Sequence, residues 1–234
     1  MKKYKLSDIE LYYTPPELIA KDKITLADDE FKHCCKVMRN SIGDAIYITD
    51  GEGNIYKTEI EKIEKNSLYG KICETISYKN ELKNIFFCIP KLKNPDRLKY
   101  ALEKCVELGI TNFILFESKR TIGSVKNIER FNRILLSAMK QSLHAFLPVV
   151  ETAQLKSIIN KPGIKILFDQ GSENQFSFRN NLSDTYYFLF GPEGGFESGE
   201  IEMIDSSNRF VLSNYRLRSE TAVIKCASLL TGRF

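Results

Sequence analysis

The 234-residue sequence has no tryptophan, only two histidines and no apolar run longer than a strand. A membrane-spanning helix needs about 20 consecutive apolar residues, and stretches such as Tyr186 to Phe190 fall far short of that. Met1-Lys2-Lys3-Tyr4 is not followed by the apolar core of a signal peptide, so a cytoplasmic location without membrane attachment is expected. The six cysteines (Cys34, Cys35, Cys73, Cys88, Cys105, Cys226) never fall in CxxC spacing. They read as buried thiols of a reducing compartment rather than as a disulfide framework. His33-Cys34-Cys35 places ligand types in a row, but a closed tetrahedral site needs four spaced ligands and His144 is the other histidine. No metal is expected. GxGxxG is missing and no GK[ST] occurs, which argues against a dinucleotide fold, a P-loop and a nucleotide-dependent enzyme of small molecules. Internal repeats and low-complexity tracts are also lacking.

What is present is an ordinary globular composition, 43% hydrophobic and 27% charged, long enough for one large domain or two modest ones. The net charge of +4 is small but unevenly placed. Residues 1–75 carry 12 basic and 14 acidic side chains, and residues 76–234 carry 22 and 16. Between Lys79 and Lys140 the count is 13 basic to 6 acidic. Such a bias attracts a polyanion such as RNA, and a solvated surface would look the same.

The first 75 residues alternate apolar and polar positions over short runs, as in Asp44 to Thr49 (DAIYIT) and Asn54 to Ile60 (NIYKTEI), with Gly51-Glu52-Gly53-Asn54 between them. This predicts a small antiparallel β unit, a barrel. Ser77 to Lys83 reads as a linker. The periodicity then changes. Asn84 to Ile89 reads as a buried strand, and Asn94-Pro95 as an N-cap with proline at the first helical position. Leu98, Ala101, Leu102, Cys105 and Leu108 follow at helical spacing, and Gly109 closes the helix. A strand over Asn112 to Glu117 completes a βαβ unit and predicts a parallel sheet. A longer helix is expected over Asn127 to Phe146. Further strands are expected at Lys165 to Phe168, Tyr186 to Phe190 and Phe210 to Leu212. The fold class is α/β, with domains over 1–75 and 80–234.

Two motifs could carry chemistry. Phe190-Gly191-Pro192-Glu193-Gly194-Gly195-Phe196 follows the strand YYFLF and precedes a helical stretch with Ile201, Met203 and Ile204. Glycines at such a strand end let backbone approach a ligand at the carboxyl edge of a parallel sheet, or simply make a tight turn. Leu217-Arg218-Ser219-Glu220-Thr221-Ala222 opens the final helix, which carries Val223, Ile224, Ala227 and Leu230. Ser219 is an N-cap candidate. Arg218 could bind phosphate or stabilise negative charge developing on a base.

In this order, the two motifs resemble those of the ribosomal RNA small subunit methyltransferase E family, the 16S rRNA uracil-N3 methyltransferases. The resemblance covers nearly the whole chain. His33 to Asp44 (HCCKVMRNSIGD) is similar to the family's H..VLR...GD segment, Asp50 to Tyr56 to its hairpin, and Lys93 to Arg120 to its lysine-initiated helix, ELG turn and strand. GPEGGF at 191–196 and LRSETA at 217–222 are the most specific elements. Three features depart from the pattern: Lys140-Gln141 and His144 stand where relatives often carry a Glu-Gln pair and then arginine, Ser213-Asn214 replaces a common glycine, and Lys2, Lys3 and Lys5 replace an arginine-rich start. Asn214 is compatible with a left-handed turn there.

The resemblance implies a PUA-like RNA-binding β-barrel followed by a SPOUT methyltransferase domain whose chain passes through a trefoil knot. It also implies a homodimer with each donor site completed near the interface, S-adenosylmethionine as cofactor, and small-subunit rRNA, within the assembled subunit, as partner. By similarity, backbone at Leu189 to Gly195 (Leu189, Phe190, Gly191, Glu193, Gly194, Gly195) and at Leu212 to Ala222 (Leu212, Leu217, Arg218, Thr221, Ala222) would wrap the donor. Phe168 to Gln170 would form a third wall, and Leu217 and Ala222 would touch adenine. Arg218 and Glu220 are the catalytic candidates, with Glu220 and His144 as possible bases. Lys91, Lys93, Arg97, Arg120, Lys140, Gln141 and His144 are the RNA-binding candidates, most of them through phosphate, which sets affinity and orientation rather than sequence choice. Tyr12 and Tyr13 could stack on bases or pack within the barrel. A non-catalytic RNA-binding module and a SPOUT enzyme with another RNA target remain the alternatives.

Overall fold

The computed structural model describes residues 9–121, 127–177 and 183–232; Lys2, Lys3 and Lys5 lie outside them. The chain divides into two compact units. One comprises the described residues up to Asn80 together with Met139–Leu147, and the other Glu81–Ala138 and the residues from Pro148 onward.

The first unit is built on strands β1 (Leu11–Tyr13), β2 (Ile19–Ala20), β3 (Lys23–Ala27), β4 (Ala45–Thr49), β5 (Asn54–Ile63) and β6 (Ser67–Ser77), with a short helix α1 (Asp28–Lys32). They form one sheet in the order β1-β4-β5-β6-β3-β2. The period-2 alternation does its expected work: Ile46, Ile48, Ile55 and Ile60 are buried with Leu26 and Leu68. The sheet is not purely antiparallel, because Leu11 to Tyr13 run parallel to Tyr47 to Thr49. The intervening chain is long enough for the crossover that a parallel pair requires. Tyr12 lies in the core at 1% exposure, so packing is its role; Tyr13 is half-buried. The β4–β5 turn is organised by buried Asp50. Its carboxylate accepts the N–H groups of Glu52 (2.7 Å) and Asn54 (3.1 Å) and the Tyr56 hydroxyl (3.0 Å). Burial and the carboxylate push that hydroxyl up to about 12, which keeps it a donor.

The second unit contains β7 (Ile85–Pro90), α2 (Pro95–Glu107), β8 (Asn112–Glu117), α3 (Ile128–Gln141), β9 (Val149–Gln154), α4 (Leu155–Ile159), β10 (Ile164–Phe168), β11 (Tyr186–Phe190), α5 (Ser198–Ile201), β12 (Arg209–Phe210) and α6 (Ser219–Thr231). The sheet order is β12-β10-β11-β7-β8-β9, and every pairing is parallel. Its central strands are apolar along nearly their whole length (IFFCIP and YYFLF), as a sheet covered on both faces requires. Edge strand β9, VVETAQ, was not expected; most of its side chains face solvent, so it has no apolar run to announce it. The last strand is also shorter than expected, and Val211 continues only as a single bridge to Gln175. The helical stretch after the glycine motif amounts to one turn, α5.

Helix α2 begins and ends as its sequence predicts. The Asn94 side chain accepts the Asp96 N–H at 2.8 Å, with Pro95 at the first helical position. At the other end Gly109 adopts φ 85°, with Ile110 N–H donating to Cys105 O and Gly109 N–H to Val106 O. These are the paired bonds of a Schellman cap. Helix α3 stops at Gln141, earlier than the expected Phe146, for the same reason written in a different residue. Leu143 takes the left-handed position at φ 59°, His144 N–H donates to Met139 O, and Leu143 N–H donates to Lys140 O. The chain beyond, Ala145 to Leu147, then bonds into the first unit: Gly53 N–H donates to Ala145 O and Leu147 N–H to Gly51 O. Leu143 and Ala145 join Leu11 and Ile55 in a small apolar cluster there.

Gly70 on β6 tests the packing of the first sheet. A Cβ at that position would lie 2.2 Å from Thr58 Cγ2 and 3.1 Å from Glu59 O, and Thr58 is fully buried. Gly70→Ala is expected to destabilise the unit by about 1–3 kcal/mol through overpacking. Removing the opposing methyl with Thr58→Ser should recover part of that loss. Urea unfolding of the two single variants and the double variant checks this; additive losses would show that the clash is not the cause.

Candidate active site

The carboxyl ends of three adjacent strands in the second unit finish level with one another. Phe168 ends β10, opposite Phe190 at the end of β11 and Phe210 at the end of β12. Their side chains are shaped for that position: the Phe168 ring stacks on Phe190 at 5.1 Å, and Phe176 closes on it edge-on at 5.0 Å. Parallel sheets bind ligands at this edge, where the following loops diverge. Here the loops at 169–170, 191–196 and 211–218 enclose a cleft of about 830 Å³ with the start of α6.

The two motifs meet in that cleft. Gly195 adopts φ 72°, and its N–H donates to Pro192 O at 2.8 Å, closing a turn that needs glycine. Ser219 does not cap α6. Arg218 occupies the N-cap position, and the Ser219 hydroxyl instead donates to Gly191 O at 3.0 Å, so it fastens the second motif to the first. The turn at Ser213-Asn214 is also built differently from the expectation. Asn214 is not left-handed, and the Ser213 hydroxyl oxygen accepts the Tyr215 N–H at 3.2 Å.

The sequence candidates distribute as follows. Phe168, Phe190, Gly191, Glu193, Gly194, Gly195, Leu212, Leu217, Arg218 and Ala222 all line the cleft, as do Asp169, Gln170 and Glu220. The Leu189 side chain lies in the core, and Thr221 faces solvent outside the lining. Arg97 also lines the cleft, which its place on α2 did not suggest. Its guanidinium sits 3.8 Å from Glu193 and 3.7 Å from Glu220, one carboxylate from each motif. Arg216 and Arg218, exposed on the 211–218 loop, form no ion pair among the described residues.

The other cations hold local structure or face solvent. Lys91, 11% exposed, bonds Glu117 at 2.6 Å and holds that carboxyl below its usual range. Lys93 is exposed. Arg120 Nη1 donates to Gly194 O at 3.1 Å, bracing the glycine loop. In the first unit Lys140 pairs with Glu30, Gln141 is exposed and His144 is half-buried. Sequence reasoning missed Glu200, a 6%-exposed carboxylate whose oxygens accept the Lys119 and Glu197 N–H groups, each at 2.9 Å. It ties the segment after β8 to the segment after the glycine loop. The Glu197-to-Glu200 spacing of a capping box was its signal. No group of three or more potential metal ligands occurs among the described residues, and none of their helices is long and apolar enough to cross a membrane.

Known proteins match this architecture along most of its length. The family model described as an RNA methyltransferase domain matches residues 79–231, and one described as an RNA methyltransferase PUA domain matches residues 26–73. The ribosomal RNA small subunit methyltransferase E of Rickettsia conorii is 27% identical over 222 residues, 91% of each chain. That of Aquifex aeolicus is 27% identical over 187 residues, covering 76% of this chain and 82% of its own. The crystal structure of a probable rRNA-methyltransferase from Porphyromonas gingivalis superposes with a TM-score of 0.81 at 28% identity, covering 95% of this chain and 97% of its own. The small subunit methyltransferase E of Neisseria gonorrhoeae, bound to S-adenosyl methionine, shares the fold with a TM-score of 0.83 at 23% identity, over 97% and 98% of the two chains. With its PUA-like sheet, its parallel α/β unit and a family match across well over half its length, this chain belongs to the RNA methyltransferase family.

Proposed function

We propose that this protein transfers a methyl group from S-adenosylmethionine to N3 of a uridine in the 16S RNA of the small ribosomal subunit. The observation that carries the reading is the Ser219–Gly191 tie, which joins the two motifs into one cleft beside Arg218, an arginine with no ion pair among the described residues. The Rickettsia and Aquifex relatives are named for methylation of small-subunit ribosomal RNA. The cleft also fits the donor. Phe168, Leu212, Leu217 and Ala222 offer apolar contact for an adenine, while Asp169, Glu193 and the backbone of the glycine loop offer polar groups for a ribose and an amino acid.

When bound, the donor supplies a sulfonium methyl open to in-line displacement. The protein's own task is alignment and the handling of one proton, since uracil N3 is protonated at neutral pH. Arg218 stabilises the negative charge that spreads to O2 and O4 as that proton leaves; its place in the cleft lining, with no ion pair among the described residues, supports that role. Glu220, 13% exposed in its side chain and paired with Arg97, is the candidate base; His144, the other one the sequence offered, does not line the cleft. Lys93 and Arg97 contribute phosphate contacts from α2 and the segment before it. The PUA-like barrel over 1–75 helps hold RNA, and the SPOUT domain over 80–234 threads its chain as a trefoil knot. The protein works as a cytoplasmic homodimer whose donor sites are completed near the subunit interface.

Labelled donor incubated with small subunits lacking the modification, followed by mass spectrometry of the digested nucleosides, should yield 3-methyluridine. Label in another nucleoside would overturn the uracil-N3 assignment. Arg218→Ala should lower kcat by about 10²- to 10³-fold, the usual effect of losing one donor to a developing anion, while calorimetric donor affinity changes little. Equal losses in both would assign Arg218 to donor binding instead. Ser219→Ala should weaken donor binding by about 2- to 12-fold, the worth of one net hydrogen bond. An unchanged dissociation constant would show that the tie to Gly191 does not shape the site.

A further inference from the structure

Large aromatic side chains left in solvent call for a reason, and the reason differs from one to the next here. Tyr100, 51% exposed on α2, has the Lys104 ammonium 5.7 Å from its ring, and Tyr78 is 44% exposed outside the cleft. Tyr215 is 81% exposed, more than any other large apolar or aromatic residue described, and it lines the cleft. Its backbone is fixed by the Ser213 hydroxyl, and Arg216, next in the chain, and Arg218 form no ion pair among the described residues. The cleft volume of about 830 Å³ is near the top of the roughly 300–1,000 Å³ that single small-molecule pockets occupy. That leaves room for a second flat group beside a donor.

We propose that Tyr215 is the platform on which the target pyrimidine stacks as it enters the cleft, with Arg216 meeting the flanking phosphate. This rests on the RNA-methylating reading above and adds to it the residue that selects the base's position. Single-stranded RNA is recognised by unstacked bases laid on aromatic rings, and a ring serves this role only if a face is free. Tyr12 has no free face, being buried in the core of the first unit. Tyr215 pays a hydration cost in the free protein that base stacking relieves. The flanking guanidiniums suit both the phosphodiester and the ring edge.

The test uses the full-length protein and small-subunit RNA transcribed with 5-iodouridine. Irradiation of the complex, followed by peptide mass spectrometry, should attach RNA to the peptide carrying Tyr215. A crosslink confined to other peptides overturns the proposal whether or not the wild-type protein transfers methyl. In the methylation assay Tyr215→Ala should lower kcat/KM for small subunits by about 5- to 140-fold, the range for losing one base–aromatic stack. Tyr215→Phe should restore most of it, because the ring and not the hydroxyl does the stacking. A Phe variant as poor as the Ala variant, or an Ala variant whose donor affinity or oligomeric mass falls in parallel, would show that Tyr215 serves the hydroxyl, the donor or an interface. Absence of transfer by the wild-type protein, with the Tyr215 crosslink present, would instead sink the methylation reading and leave the platform standing.

Discussion

Everything in the catalytic unit depends on three parallel strands ending at the same level. Phe168, Phe190 and Phe210 are register partners, so the loops that follow leave the sheet side by side and wall off a shared space. A slip of one residue in either pairing would turn the terminal side chains to the other face of the sheet and offset the loops. The all-aromatic ends guard against that slip. Phe168 stacks between Phe188 and Phe190, and Phe176 crosses it edge-on, an arrangement that a shifted register could not keep.

Charge in the cleft is sorted by the same geometry. Two carboxylates, Glu193 and Glu220, arrive from the two motifs and would repel one another near a common ligand. Arg97 reaches from α2 to within 4 Å of both and offsets that repulsion. The consequence is an asymmetry: Glu193 and Glu220 are occupied with Arg97, while Arg216 and Arg218 on the 211–218 loop form no ion pair among the described residues and remain available for an anion. At 3.7 and 3.8 Å both contacts are longer than a hydrogen bond, so the pairing is loose enough to rearrange. Glu200 makes the opposite choice. Buried and bonded to two backbone N–H groups, it is a fixed brace and not a chemical participant.

Much of this was legible in the sequence because local rules and global fold agree there. Asn94-Pro95 and Gly109 bound α2 by capping chemistry that needs no tertiary information, and the runs NIFFCI, NFILFE and YYFLF are too apolar to be anything but buried strands. Strand position put the glycine motif at the carboxyl edge of the sheet, but the gathering of the glycine loop, the LRSETA segment and Phe168 at one cleft was implied only by the family resemblance. What escaped had a physical cause each time. β9 is an edge strand whose exposed face erases the apolar signal. The end of α3 is set by a left-handed Leu143, a residue that carries no helix-stop signature, and its cost is met by the apolar cluster it enters with Leu11 and Ile55. Ser219 looked like a cap because serine before an apolar helix usually is one; only the fold puts Gly191 O within reach of its hydroxyl.

That last difference also explains how such a site can persist while side chains diverge. The Rickettsia relative, 27% identical, matches 91% of this chain, and a structure 28% identical keeps the fold at a TM-score of 0.81. A cleft defined by strand ends, a left-handed glycine and backbone carbonyls asks little of most side chains, since any sequence that preserves the register reproduces its walls. The few side chains that matter then divide by what they touch. Those that fasten walls together, such as Ser219, Arg120 and Glu200, have backbone partners and little freedom to change. Those that face the open cleft, such as Tyr215 and Arg216, have side chains that make no hydrogen bond or ion pair among the described residues. Under the proposed reading these are the side chains left for the RNA, so holding the target and holding the donor rest on different residues of one cleft.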